Sequence, residues 1–555
     1  MASLRCSDLT QTSSTASRRP GMDFSACYED SVSSVAAAAR LGNKRRMRYL
    51  IRQGHTVDLA DNRGWRAIHE AAAAGRVGCL KEILSAAART AGSSAGFQAY
   101  VNSATHEGES ACFLAARSGH LDAVRLLLKA RANIDQLTND LSCPLYVAVS
   151  NGHKDVVQLL LAKGAMLDRS HTASCWTCLH LAVYQDHVDI VRLLVESADL
   201  EAPDDYKVTP LFLAAQHGRR QCLEVLVHAG ANVNAQAVDL ASPLLLASQE
   251  GHLSCVDFLL QHGADANLVC GQNWPQLPIH AAAEFGHLSI LRRLLRVTER
   301  ACDRDEGMVS PLYLAVQGRQ LPSMELLLAE GFSPDAQDCD SLLDLHSPLS
   351  LALECELREE ARLLLAAGAT LDLDEWSLVL SRHDADVLKL VLEHRWLYPP
   401  RFLSDDSAAD GRSSKTALRP PEFDDMLLMA LQQAEFADSW LPPLLKAGLE
   451  PKLLLHCNIM KVANSEMVNF LLQFVNWSTM PPSLKDILCQ RRARKTWQPL
   501  PQFGSNTDSI PDLSHLCRLQ IRILMGADAV MRPDVVGRLP VPPCLHHFLQ
   551  FDDIA

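Results

Sequence analysis

Aromatic residues are scarce in this 555-residue chain, at 6%, although 48% of it is hydrophobic. A core short of rings has to be filled by Ala, Leu and Val, a composition that suits helices packed closely together. Long apolar runs are lacking too. Val35 to Ala39 is apolar, but nothing approaches the roughly 18 uninterrupted residues of a membrane helix, so no membrane association is expected. Positive charge is not in excess: the formal net charge is −13, which disfavours nucleic acid and anionic lipid as general partners. The N-terminal stretch is rich in Ser and Thr without an apolar segment, so no secretory signal is expected. A dense disulfide framework is also missing. The 17 cysteines are an odd count spread through apolar contexts such as Cys222 and Cys255, which fits reduced, buried thiols in a cytoplasmic or nuclear protein. Finally, there is no Gly-rich phosphate loop, no HExxH and no nucleophile elbow, so neither catalysis nor a cofactor is expected.

What is present is a recurring phrase. A small polar residue precedes Pro, an apolar residue and an Ala-rich turn ending in Gly-His or a variant; an apolar helix, Gly-Ala and a polar stretch follow. Copies include Ser142-Cys143-Pro144-Leu145, Thr209-Pro210-Leu211, Ser242-Pro243-Leu244 and Ser310-Pro311-Leu312. The prolines stand at 144, 210, 243, 278, 311 and 348, with Cys178 in the slot between the first two, so the period is about 33 residues. Pro at the first helical position needs no N–H partner and presets φ, and the Ser or Thr before it can cap the helix. Alanines such as Ala214, Ala215, Ala281 and Ala282 allow two helices to approach closely. Gly218, Gly251 and Gly286 break the first helix. The second carries a stripe at helical spacing, Val124, Leu127 and Leu128 in one copy and Val156, Leu159 and Leu160 in the next. Gly164, Gly230 and Gly263 then end it in a left-handed turn.

This pattern resembles the ankyrin-repeat family over about residues 30 to 370. It implies an all-α solenoid of helix-turn-helix repeats joined by short β-hairpin loops. A first, weaker copy is read at Val32 to Asp58, a second around Gly64 to His69, and a third at Gly108 to Asp135. The third follows an inserted Ala/Gly/Ser-rich loop at 85–101, and six more copies run to Ser347-Pro348-Leu349. Residues 1–29 read as a disordered tail. Residues 371–500 read as diverged helical repeats, with helix pairs at Trp376 to His394 and Ala430 to Pro451 and a flexible loop near 401–423. Arg131 and Ala198 stand where helix-ending glycines are expected, so their turns are candidates for remodelling.

Some signals compete with a binding role. Cys175-Trp176-Thr177-Cys178, with His171 and His180 nearby, has the spacing of a dithiol or of part of a zinc site. No second such pair completes four ligands, and Cys178 and His180 fall on the repeat's Pro and His positions, which favours packing. His69, His180 and His280 recur at the repeat period, the mark of packing and capping. Arg491-Arg492-Ala493-Arg494-Lys495 is read as a solvated helix face in preference to an import signal.

After Pro501 the composition changes. Pro511 and Asp512 open a helix and Gly526 stops it. Leu513, Leu516, Cys517, Ile521 and Leu524 line one of its faces, and such a stripe must be buried against something. Leu539-Pro540-Val541-Pro542 and a short apolar helix with Leu545, Phe548 and Leu549 follow. The stretch 510–555 is similar to a SOCS box. Leu513, Cys517 and Ile521 match its elongin-binding motif, and Leu539, Pro540, Val541 and Pro542 its cullin box. Behind ankyrin repeats, the pair identifies the chain as a member of the ankyrin-repeat and SOCS-box family. The segment before Met22 and the 85–101 insertion depart from the family pattern.

The resemblance implies a non-catalytic substrate-recognition subunit of a ubiquitin ligase. Leu513, Leu516, Cys517 and Ile521 would enter a groove on elongin C, with elongin B attached, and helix-in-groove docking uses such spacing. Leu539 to Pro542 would favour cullin-5 with its RING protein. An unknown protein substrate would dock on the concave face formed by the turn tips and first helices. Tip residues Asp61, Asn62, Asp204, Asp205, Asp239 and Asp338 are acidic or polar, which points to a basic partner surface, although Asp also serves solvated turns. The alternative is an ankyrin scaffold without a ubiquitin link, whose last helix caps the array.

Overall fold

The computed structural model describes residues 32–496, apart from 172–174, 271–275, 300–309, 336–346, 383, 398–415, 434–436, 448, 450, 456–459, 462, 464 and 473–479. The chain divides into two units, Met1–Leu268 and Val269–Ala555. Within each, a short first helix packs on a second helix and on the first helices of neighbouring repeats. All six recurrent prolines are the first residue of a seven-residue helix: Pro144–Ser150, Pro210–Gln216, Pro243–Gln249, Pro278–Glu284, Pro311–Gln317 and Pro348–Glu354. Cys178–Tyr184 occupies the same slot without the Pro.

The caps act as their chemistry requires. The hydroxyls of Ser110, Ser242 and Ser347 accept the N–H of the residue three further on, at 3.2, 3.2 and 3.0 Å. The Cys143 sulfur takes the same role, accepting the Tyr146 N–H at 3.3 Å. Alanines 71, 72, 115, 116, 214 and 215 are fully buried where first helices meet. Gly119 has φ +73°, and a Cβ there would lie 2.6 Å from the His153 ring of the following repeat. His153 Nε2 in turn bonds the Arg117 carbonyl at 2.9 Å. The Gly-His pair therefore joins two successive repeats: glycine makes the left-handed turn and vacates the space the next histidine fills.

The readings of the 85–101 insertion and of the Arg131 turn are revised. The 85–101 insertion is mostly helical: it lengthens Val77–Thr90 and adds Ser94–Val101. Its alanines favour helix, the Ser93 hydroxyl caps the Gly96 N–H at 3.0 Å, and buried Tyr100 donates to the Val57 carbonyl at 3.2 Å. Arg131 keeps the left-handed turn at φ 63°, because the Ala132 N–H still closes on the Leu127 carbonyl at 3.0 Å. The Ala198 turn is remodelled, its N–H closing one residue sooner on Leu194 at 2.9 Å, as Thr298 does on Leu294 at 2.8 Å. Hairpin loops are reduced to isolated bridges, Ala104 with Ser110 and Cys270 with Gln276. Among the described residues, strand pairing is otherwise two residues of Arg395–Trp396 beside Thr416–Ala417.

Beyond residue 370 a helix pair runs through Leu373–Ser381 and Ala385–His394. The next pair, Pro420–Gln432 and Ala437–Lys446, begins inside the stretch read as a loop to 423. Pro420 at the first position and the Glu422 carboxylate, which accepts the Arg419 N–H at 3.1 Å, set that start. The last described helix is Pro482–Ala493. In its basic run Arg491 is only half-exposed: its guanidinium donates to the carbonyls of Met460 and Ala463 at 2.8 and 2.7 Å, and burial lowers its pKa. Arg492, Arg494 and Lys495 are exposed.

Candidate functional site

The recurrent histidines are structural. The Nδ1 of His69, His180 and His280 accepts the backbone N–H three residues before it, at 3.0, 3.2 and 2.8 Å. Nε2 of His69 and His180 bonds a carbonyl of the next repeat, Ser103 at 2.9 Å and Val208 at 3.1 Å. That arrangement requires the neutral ring with its proton on Nε2. Burial enforces it, pushing His69 down to about 4 and lowering His180 as well.

The paired cysteines do not face each other as a unit. Cys175 is half-exposed at φ 58°, and Asp205 raises its pKa by accepting from the thiol. Cys178 is buried against Cys143, whose sulfur also lies 3.6 Å from His171 Nε2. The Cys178 thiol and the His171 ring hold Cys143 well below the ordinary thiol range, while the same contact raises Cys178. This buried contact between repeats was not legible in the local spacing. Among the described residues no group of three or more His, Cys, Asp or Glu side chains is arranged to hold a metal.

The tip carboxylates divide by task. Asp61 has a nearly buried side chain; one oxygen accepts the Arg63 and Trp65 N–H groups at 2.9 and 2.7 Å, the other the Arg63 guanidinium at 2.8 Å. Asp204 repeats the turn, accepting Tyr206 and Val208 N–H at 2.8 Å each, and its second oxygen takes the Trp176 indole N–H at 3.3 Å. Asn62, Asp205 and Asp239 are exposed at their tips. Asp338 lies outside the described residues.

Another set of polar groups escaped sequence reasoning. Side chains of Asn102, Asp135, Asp168, Glu201 and Asn234 each accept a backbone N–H from the next repeat, those of Asn133, Met166, Asp199, Asn232 and Asp265, at 2.7, 2.9, 3.0, 2.7 and 2.9 Å. The signal was available: one Asn, Asp or Glu recurs at the repeat period.

Leu513, Leu516, Cys517 and Ile521, and Leu539, Pro540, Val541 and Pro542, lie outside the described residues. No described helix is long and apolar enough to cross a membrane.

Comparison with known proteins supplies what the geometry does not. The SOCS box family matches residues 509–550, and ankyrin repeats match in three copies at 84–171, 166–237 and 244–338. Ankyrin repeat and SOCS box protein 3 of Homo sapiens is 37% identical over 96% of this chain and 97% of its own length. The chain belongs to the ankyrin repeat and SOCS box family. The protein 3 of Bos taurus is 36% identical over 96% of both chains. The crystal structure of the human ASB11 ankyrin repeat domain matches at 29% identity and TM-score 0.37, covering 42% of this chain and 98% of that one. As a member of the family, the protein is a SOCS-box substrate adaptor in ubiquitination that interacts through ankyrin repeats, and such adaptors are generally non-catalytic.

Proposed function

We propose that this protein is the substrate-recognition adaptor of an elongin B/C–cullin-5 RING ubiquitin ligase and delivers its target for proteasomal degradation. One observation carries the reading: a SOCS box at 509–550 placed behind ankyrin repeats. Leu513, Leu516, Cys517 and Ile521 form the apolar face offered to elongin C, and Leu539 to Pro542 the segment that selects cullin-5. The repeats hold the target. Rate enhancement then comes from raising the local concentration of target lysines near the ubiquitin-loaded enzyme, through proximity alone. The cytoplasm is the expected compartment, with the nucleus as a second.

Affinity capture of the full chain from cells tests this. Elongins B and C and cullin-5 are expected in the recovered complex, and Leu513→Ala with Cys517→Ala should remove them without changing the circular dichroism spectrum. Undiminished elongin recovery by the double variant overturns the proposal. Replacing Leu539 to Pro542 with alanines should lose cullin-5 while retaining elongins.

A further inference from the structure

Two departures from the repeat pattern meet inside the first unit. First helices elsewhere are capped by hydroxyls such as those of Ser110, Thr209, Ser242 and Ser347, and begin with Ala or Pro. Cys143 is the cap of Pro144–Ser150, and Cys178 is the first residue of the helix one repeat later. Both are buried, Cys143 at 1% exposure and Cys178 at 0%, and the Cys178 thiol donates to the Cys143 sulfur. A third departure faces them. The His171 N–H donates to the Trp176 carbonyl at 3.0 Å, in the turn slot that Thr138 and Asp204 fill in the neighbouring repeats.

The three side chains form one network. His171 Nδ1 donates to the Leu141 carbonyl at 3.2 Å, which leaves Nε2, 3.6 Å from the Cys143 sulfur, to share that thiol's proton. The Tyr146 N–H donates to the same sulfur at 3.3 Å, and the Tyr146 ring lies 4.7 Å from the His171 ring. Cys143 thus faces a backbone N–H, an imidazole and a second thiol, a set that favours a thiolate. The Cys178 thiol and the His171 ring hold it well below the ordinary thiol range, whereas burial raises Cys112, Cys222 and Cys255. A nucleophilic thiolate beside a second thiol is what a redox pair needs. Packing alone asks for neither cysteine, since Ser242 and Pro243 fill the same slots in a sibling repeat.

We propose that hydrogen peroxide oxidises Cys143 and Cys178 to a disulfide that ties two successive repeats together, with His171 supplying the first proton. The Cys143 thiolate attacks one peroxide oxygen. An S–O bond forms, the O–O bond breaks, and the departing hydroxide takes the proton held at His171 Nε2 and leaves as water. The Cys178 sulfur then attacks the sulfenic sulfur. The S–S bond forms, the S–O bond breaks, and hydroxide leaves as water with the Cys178 proton. Two thiols are oxidised and one peroxide is reduced to two waters. Burial favours peroxide over bulkier oxidants, and makes later reduction depend on local opening of the two repeats. The link forms whether or not the array serves a ubiquitin ligase.

Peroxide treatment of the full chain tests this, with free thiols alkylated after denaturation and the peptides mapped by mass spectrometry. A Cys143–Cys178 link is expected, forming about tenfold faster than any oxidation of Cys112, Cys222 or Cys255. The linked protein should resist denaturant further than the reduced one. Cys143→Ser and Cys178→Pro restore residues that sibling repeats carry, and the extended Thr177 suits a following proline, so both variants should keep the parent circular dichroism spectrum. Neither should form the link. Quenched into denaturant with dimedone, Cys178→Pro should carry the adduct of a sulfenic acid on Cys143. His171→Gln should slow the link about tenfold, without speeding Cys112 oxidation as a loosened fold would. The proposal is overturned if Cys143 and Cys178 remain alkylatable after peroxide, if either links instead to Cys175, if Cys178→Pro yields no Cys143 adduct, or if His171→Gln leaves the rate unchanged.

Discussion

Residues 67–266 and residues 373–493 are both built from helix pairs, yet the matched ankyrin-repeat copies end at residue 338. The difference lies in what fills the gap between helices. In the earlier region buried alanines at 71, 72, 115, 116, 214 and 215 bring helices close, and caps come from Ser, Thr and neutral His. In the later one the largest buried side chains are Trp376 and Trp440, with Met426 fully buried too, and caps come from carboxylates. Asp372 accepts the N–H groups of Asp374 and Glu375 at 2.8 and 3.2 Å, and Glu375 closes back on the Asp372 N–H at 2.9 Å. A close approach admits few residue types, so its pattern persists from copy to copy. A wider gap can be filled by many combinations of bulk, so the helix pair survives while its signature fades.

The largest way to break this contrast is Trp376→Ala. It empties a fully buried ring site and should cost about 3–5 kcal/mol, read as lost hydrogen-exchange protection in Leu373–Ser381. Gly119→Ala attacks the earlier region's close approach. It adds a Cβ 2.6 Å from His153 at a left-handed φ of +73°, and should cost roughly 2–4 kcal/mol in chemical denaturation. Gly164→Ala isolates the backbone part, since at φ +81° its Cβ meets nothing within 4 Å; about 1 kcal/mol is expected. Equal losses at the two glycines would refute the claim that contact between repeats dictates glycine at 119.

Acid should strain the histidine caps. His69 has a folded pKa near 4, below its ordinary 6.5, so the unfolded chain binds the proton first. Its contribution is whole above pH 6.5 and is lost as pH falls towards 4. Melts of the parent and His69→Asn across that window should show a shallower acid dependence in the variant. Glu70 and Glu109, raised by burial, act in the opposite direction and are common to both proteins. Smallest of all, Asp122→Ala breaks an exposed 3.2 Å ion pair with Arg125 and should shift stability by at most about 0.5 kcal/mol.

Much of the array was legible because its signals are local. Each recurrent Pro marks a first helical residue, since only there does a missing N–H cost nothing. The second-helix stripes and the glycines that end them were legible for the same reason. The helical insertion at 85–101 was misread because Ala, Gly and Ser were taken as loop composition, while Tyr100 and Val101 anchor it by burial. Tip acidity was legible as composition only. It did not separate Asp61, whose nearly buried carboxylate is held by its own turn and by Arg63, from Asp205 and Asp239, which are exposed even though Asp239 accepts the Ala241 N–H at 3.1 Å.

The sequence by itself determined the repeat, its period, its helix starts and the family, because caps, prolines and apolar stripes act within a few residues and a SOCS box is a short linear pattern. Tertiary structure decided which equivalent residues differ in task. Trp65 is covered by Arg63, while Trp176 bonds Asp204 and stands beside the exposed Tyr184. The Trp176–Asp204 bond joins residues about one repeat apart, a contact that packing of neighbouring repeats creates and no local spacing encodes.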